Sequence, residues 1–309
     1  MTTQKAIDHL KEMLPAKHVL FDEPMSRHTS FRIGGPAAAL VLAGNDYELT
    51  TVLRTVSETG AEHIIVGNGS NLLVADEGYP GIVIKLTGEY EMLMQNKYDP
   101  RIVRAGAAVL MSRTAAFLTE RGLSGFEFAS GIPGSIGGAV FMNAGAYGGE
   151  IKDVVSSVRV MDRDGSRVRT LSNEDMQFSY RHSKAEEGDM IILSAEMKLS
   201  MDNPAEIAKR VSELQSRRNA KQPVNYPSAG STFKRPVGGY AAALIEQSGL
   251  KGYRVGGAEV SEKHSGFVIN RGGASCEDVL GVMRHVREKV YEDSGITLEP
   301  EVRLINCSL

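Results

Sequence analysis

Between Gly125 and Gly149 the chain reads GFEFASGIPGSIGGAVFMNAGAYGG, more glycine than a packed helix or a regular strand tolerates. Glycine reaches positive φ and has no Cβ to hold a ligand off, so such a run lets backbone N–H groups close on a flat or anionic group. A single Gly-Gly pair is better read as a turn. The clustering points instead to a cofactor cradle. In it Pro133 fixes one φ within Gly131-Ile132-Pro133-Gly134, Ser135, Gly137, Gly138, Gly145 and Ala146 keep the walls small, and Asn143 and Tyr147 add polar handles. A second loop, Gly67-Asn68-Gly69-Ser70-Asn71-Leu72, offers consecutive N–H groups, a hydroxyl and an amide, which suits a pyrophosphate. It lacks the third glycine and the following helix of a dinucleotide fingerprint, because Leu72-Leu73-Val74 reads as strand. Alone it would be a plain turn; beside the downstream cradle the cofactor reading is favoured.

These loops need a scaffold, and the apolar spacing supplies one. Ile7 to Leu14 reads as a short amphipathic helix closed by Pro15, and His28 to Gly35 as a polar entry to an apolar strand from Ala37 to Ala43. Asp46 can cap a helix whose Leu49, Val52, Leu53 and Val56 share a face and which Gly60 ends; a strand from Glu62 to Val66 completes a βαβ unit. Further strands are expected at Gly81–Leu86 and Arg101–Ala105, a helix at Met111–Arg121, and a hairpin about Arg163-Asp164-Gly165. Alternation from Ile191 to Ser200 predicts a half-buried strand. Asn203-Pro204 opens a helix that ends in the basic run Arg217 to Lys221, either a solvated helix end or a phosphate contact. A helix near Ala241–Gln247, a strand at Gly266–Ile269, a long helix capped by Ser275 with the stripe Val279, Val282, Met283, Val286 and Val290, and a last strand from Thr297 to Ile305 complete the chain.

The totals bound the function. At 309 residues the chain exceeds one ordinary core. A formal charge of −3 with scattered Lys and Arg argues against a phosphate-tracking nucleic-acid surface. Two cysteines without CxxC spacing and seven histidines without an HExxH pair imply neither a disulfide framework nor a metal site. No apolar window is long enough to span a membrane, and MTTQKAIDHLKEML has no signal-peptide core, so a cytoplasmic protein is expected.

Six motifs in order, His28 to Gly35, Gly67 to Leu73, Gly131 to Gly149, Tyr180-Arg181-His182-Ser183, Ala229 to Lys234 and Leu298 to Arg303, resemble the UDP-N-acetylenolpyruvoylglucosamine reductases. These are flavoenzymes of peptidoglycan precursor synthesis. The resemblance implies an α+β protein: a two-lobed FAD-binding region of the type shared with the vanillyl-alcohol oxidase group, near 1–87 and 88–205, and a C-terminal α/β substrate-binding domain at 206–309. It implies non-covalent FAD between the lobes, its pyrophosphate near Gly67 to Leu72 and the rest along the Gly131 to Gly149 cradle. NADPH as reductant and a UDP-sugar substrate follow likewise, and a monomer is expected. About fifty residues separate Arg181 from Ser231, similar to the family's shorter second type rather than the first, whose extra loop carries a tyrosine over the substrate.

The implied reaction reduces an enolpyruvyl ether to a lactyl ether. Hydride addition to the terminal methylene drives electron density into the carboxylate, which then needs donors. By resemblance Arg181 grips that carboxylate, since a guanidinium stays charged and binds in two parallel bonds. Glu301 assists only while it holds a proton, and Ser231 gives the proton to the α-carbon. Tyr180, Lys221, Lys234, Arg235 and His264 are candidate contacts to the substrate; some relatives carry Asn and Gln at the last two. Two rivals remain at this level. One is a flavin oxidase or dehydrogenase of alcohols, which needs a base more than a cationic clamp. The other is a nucleotide-binding module without turnover, which would take up no flavin.

Overall fold

The stripe Leu49, Val52, Leu53 and Val56 is buried along a helix from Asp46 to Thr59, as its spacing requires. Its cap is Asn45 rather than Asp46. The Asn45 side chain accepts from the Glu48 N–H at 3.0 Å, and Gly60 ends the helix at φ +67°. Asp46, already inside the first turn, accepts from the Tyr90 hydroxyl at 3.0 Å and from the Arg159 guanidinium. Partial burial opposes ionisation there, but Arg159 and Tyr90 hold the Asp46 carboxyl below its usual range.

In the computed structural model, which describes residues 2–309, the chain divides into two units. The larger takes everything up to Phe21, Ala39–Asn68 and Gly81–Arg218; the smaller takes Asp22–Ala38, Gly69–Pro80 and Asn219–Leu309.

The larger unit is organised on two main sheets. A four-stranded sheet runs in the order Val19–Pro24, Pro36–Ala43, Tyr79–Leu86, His63–Val66, the last two parallel with His63 opposite Ile82. Helix Thr2–Met13 packs on helix Asp46–Thr59, and begins earlier than its sequence stripe predicts. A five-stranded antiparallel sheet runs in the order Val168–Ser172, Val155–Asp162, Met190–Lys198, Ile102–Gly106, Leu93–Gln95. The expected hairpin joins its first two strands, with Gly165 at φ +72°. Met190–Lys198 is not half-buried as its alternation predicts. It is the central strand, helix Ile136–Phe141 packs on it, and only Glu196 and Lys198 escape full burial. Its place between Val155–Asp162 and Ile102–Gly106, with that helix on one face, overrides the period-two pattern.

The smaller unit is organised on helix Cys276–Ser294. Ser275 caps it, its hydroxyl accepting from the Asp278 N–H at 3.0 Å while the Asp278 carboxylate accepts from the Ser275 N–H at 3.1 Å. Its predicted stripe is buried in one cluster with helix Ala241–Gln247 and the strands Ala258–Val260 and Val268–Asn270. Phe31, Ile33 and Leu73 belong to that cluster, which explains why two early segments leave their sequence neighbours.

The last strand is shorter than expected. Arg303–Ile305 pairs parallel with Leu72–Val74, while the residues before it lie along Thr232–Lys234 through Lys234 N–H to Glu299 O and Glu301 N–H to Thr232 O, both 2.8 Å. Pro300 cannot donate, so that stretch makes an isolated bridge to Phe233 rather than a ladder. Helix Pro204–Lys221 carries the chain from the larger unit into the smaller. Among the described residues no helix is long and apolar enough to cross a membrane.

Candidate active site

In the larger unit the cradle is not all loop. Gly137 and Gly138 sit in the six-residue helix Ile136–Phe141, which lies close against residues 107–111: Gly137 N–H donates to Ala107 O and Ile136 N–H to Val109 O, both at 2.8 Å. A Cβ on Gly137 would come within 2.9 Å of the Ala107 Cβ, so glycine is what lets this helix approach. Gly67 needs the same freedom. A Cβ there would lie 2.6 Å from the Ser135 Oγ.

That Ser135 hydroxyl is buried and has no hydrogen-bond partner, and the same is true of Ser130 at the cradle's entrance. Buried hydroxyls are normally satisfied, so two orphans beside glycine walls call for a polar ligand. The larger unit's part of the cradle, Gly67, Asn68, Gly131, Ile132, Pro133, Gly134, Ser135, Gly137, Gly138, Gly145, Ala146 and Tyr147, thus fits a group bound through backbone N–H groups and small hydroxyls. Gly145–Ala146 and Gly149–Glu150 form a minimal hairpin whose turn residues Tyr147 and Gly148 both have positive φ, 53° and 89°. The Arg217 guanidinium lies 5.1 Å from the centre of the Tyr147 ring.

Asn143 does something other than the expected handle. Fully buried at φ +42°, its Nδ2 donates to Ser179 O at 2.9 Å and to the Glu150 carboxylate at 3.1 Å, and its Oδ1 accepts from the Lys152 N–H at 3.0 Å. Ser183 Oγ donates to Phe141 O at 2.6 Å. The cradle helix and Asn143 together hold the turn Ser179-Tyr180-Arg181-His182, in which Ser179 and His182 pair and Arg181 sits at φ +54°. That conformation costs a non-glycine residue free energy and is kept only where the surroundings impose it. It lies at the base of the side chain expected to clamp a carboxylate. The guanidinium is 5.1 Å from the Tyr180 ring centre, and its charge contributes, behind Lys152, to holding the Glu150 carboxyl low.

In the smaller unit Ser231 and Glu301 come together through the backbone. Thr232 and Phe233 are buried, Glu301 N–H donates to Thr232 O, and Thr232 N–H donates to Gly266 O, so residues 231–233 are held on both sides. Asn71 completes the frame: its Nδ2 donates to Glu301 O at 3.0 Å and its carbonyl accepts from the Arg303 N–H at 3.0 Å. Gly69, at φ +65°, could not carry a Cβ, which would fall 1.9 Å from the His28 carbonyl oxygen. Thus Gly69, Ser70, Asn71 and Leu72 belong structurally to the segment that carries Glu301, while Gly67 and Asn68 belong to the cradle side of the same loop.

His264 stands beside this frame, its ring 3.1 Å from where a Gly266 Cβ would be. Burial lowers the imidazole's proton affinity, and its Nδ1 takes the Gly266 N–H at 3.2 Å, so the ring is neutral with its proton on Nε2. Lys221 and Lys251 add to that depression. Arg235 lies over the exposed Tyr240 ring at 4.2 Å, and Lys234 is a loose 3.7 Å from Glu299.

Arg218 and Ser130 carry weight that sequence reading did not assign. Arg218 packs against Gly131, where a Cβ would lie 2.8 Å from its Cδ. Burial lowers its guanidinium, with the Tyr147 phenol opposing, and among the described residues no carboxylate pairs with it. An unpaired, partly buried cation at a glycine cradle is poised for an anion. The basic run was visible; which of its arginines turns inward was not.

Residues 37–171 match the family described as FAD binding domain, and 222–305 that described as UDP-N-acetylenolpyruvoylglucosamine reductase, C-terminal domain. The UDP-N-acetylenolpyruvoylglucosamine reductase of Caldanaerobacter subterraneus subsp. tengcongensis is 47% identical over 299 residues, covering 97% of each chain. That of Clostridioides difficile is 46% identical over 305 residues, 99% of each. The crystal structure of the Thermus caldophilus enzyme of this name superposes with a TM-score of 0.79 at 36% identity, over 92% of this chain and 97% of that one.

Proposed function

The chain belongs to the UDP-N-acetylenolpyruvoylglucosamine reductase family, and we propose on that footing that it reduces the enolpyruvyl ether of a UDP-linked N-acetylglucosamine to the lactyl ether of UDP-N-acetylmuramate. It is an FAD-dependent oxidoreductase of peptidoglycan precursor synthesis that draws on NADPH. The observation that carries this reading is the glycine cradle with its orphaned Ser130 and Ser135 hydroxyls, which is built to hold a flavin nucleotide. The two main sheets of the larger unit support a two-lobed flavin region near 1–87 and 88–205, with 206–309 as the substrate-binding domain. Segments 22–38 and 69–80 of the first lobe are lent to the smaller unit's core.

The Gly67–Asn68 loop and the Gly131–Tyr147 cradle would hold FAD, which would supply hydride drawn from NADPH for the enolpyruvyl double bond. Arg181 holds the substrate carboxylate through two parallel hydrogen bonds and stabilises the extra negative charge that hydride addition sends into it. Glu301 is the second group assigned to the developing charge. Ser231 delivers a proton to the α-carbon, so that one hydride and one proton saturate the double bond. The Arg218 guanidinium neutralises an anionic group lying along Gly131. The Nε2–H of His264 and the cations Lys221, Lys234 and Arg235, with the Tyr180 hydroxyl, bind the diphosphate and sugar; a neutral imidazole donor does there what an amide can do in relatives.

The protein acts in the cytoplasm as a monomer, and sedimentation velocity checks the latter. The deciding experiment is spectral. The purified yellow protein bleaches with NADPH under anaerobic conditions and regains its flavin absorbance when the enolpyruvyl UDP-sugar is added. Bleaching by alcohols instead, or no flavin uptake at all, would overturn the assignment.

A further inference from the structure

Glu150 stands beside the cradle, yet no step of the reaction above calls on it. It belongs to the minimal hairpin, opposite Gly145, where a Cβ would fall 2.8 Å from the Glu150 Cγ; glycine there makes room for the side chain. One carboxylate oxygen, Oε2, accepts twice: from the Asn143 Nδ2 at 3.1 Å and from the Lys152 ammonium at 2.8 Å. A carboxylate so placed only accepts.

That fixes the sense of the Asn143 amide. One Nδ2 hydrogen goes to Glu150 and the other to Ser179 O at 2.9 Å, while Oδ1 takes the Lys152 N–H at 3.0 Å. Turned over, the amide would set its oxygen against a carboxylate and a carbonyl, and its NH2 against an N–H, at a side chain with no exposed surface. Ser179 O, held in this way, also takes the His182 N–H at 3.2 Å, and the Ser179 N–H donates to His182 O at 3.1 Å. These bonds close the turn on which Arg181 sits at φ +54°. All of these residues belong to the larger unit. Resting on the reading of Arg181 as the clamp on the substrate carboxylate, we propose that Glu150 is a positioning residue for the reduction, acting through Asn143 to fix the Arg181 turn. A left-handed arginine relaxes when its frame loosens, and a two-bond grip on a carboxylate tolerates little displacement.

The two half-reactions of the FAD-loaded protein separate this role from a general structural one. Reduction of the flavin by NADPH does not involve the substrate carboxylate; reoxidation by the enolpyruvyl UDP-sugar does. Glu150→Ala is expected to keep its FAD, to be reduced at the unsubstituted rate and to be reoxidised about tenfold or more slowly. Glu150→Gln retains an acceptor oxygen for Asn143 and should recover most of that loss. In an Arg181→Lys background, where the two-bond grip is already gone, Glu150→Ala should cost nothing further, whereas a structural role would slow reoxidation by its own factor again. Should Glu150→Ala fail to fold, Asn143→Asp, of the same shape but with no donor for Ser179 O, reads the same contact. Normal reoxidation in these variants, equal slowing of both half-reactions, or additivity with Arg181→Lys would overturn the positioning role while leaving the clamp in place. Arg181→Lys reoxidised at the unsubstituted rate would remove the clamp itself, and the role of Glu150 with it.

Discussion

Ser231 sits in a segment whose next two side chains are buried and whose backbone is hydrogen-bonded to Glu301 on one side and Gly266 on the other, so its place is set by main chain rather than by its own hydroxyl. Ser231→Ala should therefore fold and keep its FAD. In single turnover with the flavin reduced beforehand it should lose substrate reduction by about 10²-fold or more, the range of a general acid; an unchanged rate would remove Ser231 from proton delivery. Arg181→Lys keeps the charge but not the fork, and the strained turn beneath it stays fixed by Asn143. Turnover is expected to fall by about 10²-fold, as when one oxyanion donor is removed, with flavin content unchanged. Ser135 separates a ligand-binding role from a structural one. If its orphan hydroxyl serves the cofactor, Ser135→Ala purifies with less FAD while the apoprotein is no less stable, since an unpaired buried hydroxyl is lost. Full flavin content would count against the cradle as drawn.

Among elements, the long helix of the smaller unit depends on its first turn. Ser275→Ala removes the cap to the Asp278 N–H and should cost about 1 kcal/mol in chemical denaturation. The Asp278 carboxyl is held low first by the Gly257 N–H at 3.0 Å, with partial burial opposing and Ser275 assisting. Its folded pKa lies below the unfolded value of about 3.9, so its contribution is whole above that pH and is lost as pH falls through the folded value. The acid limb of a melting-temperature profile should accordingly flatten in Asp278→Asn; a limb of unchanged slope would show that other carboxylates dominate it. The glycine-bearing helix at Ile136–Phe141 makes the opposite point about legibility. Its glycines read as loop because a helix interior normally disfavours them, and they are there for close approach to Ala107.

At the scale of the whole molecule, a cofactor bound only by the folded protein must stabilise it. Saturating FAD should raise the unfolding temperature of the stripped protein, about 2.7 kcal/mol at a hundredfold excess over Kd, whereas adenosine diphosphate alone should give less. Equal stabilisation by both would mean that the cradle recognises only the nucleotide half. The sequence alone determined the glycine runs, the helical stripes with their caps and stops, and the order of motifs that marks the family. Backbone sterics and local hydrogen bonding act over a few residues and leave their mark in spacing. Tertiary structure decided that segments 22–38 and 69–80 join the C-terminal core, that Asn71 braces Glu301 from 230 positions away, that Arg218 turns inward, and that two hydroxyls are left without partners. Hydrophobic burial has no direction and no sequence range, so which distant surfaces meet is settled only when the whole chain packs.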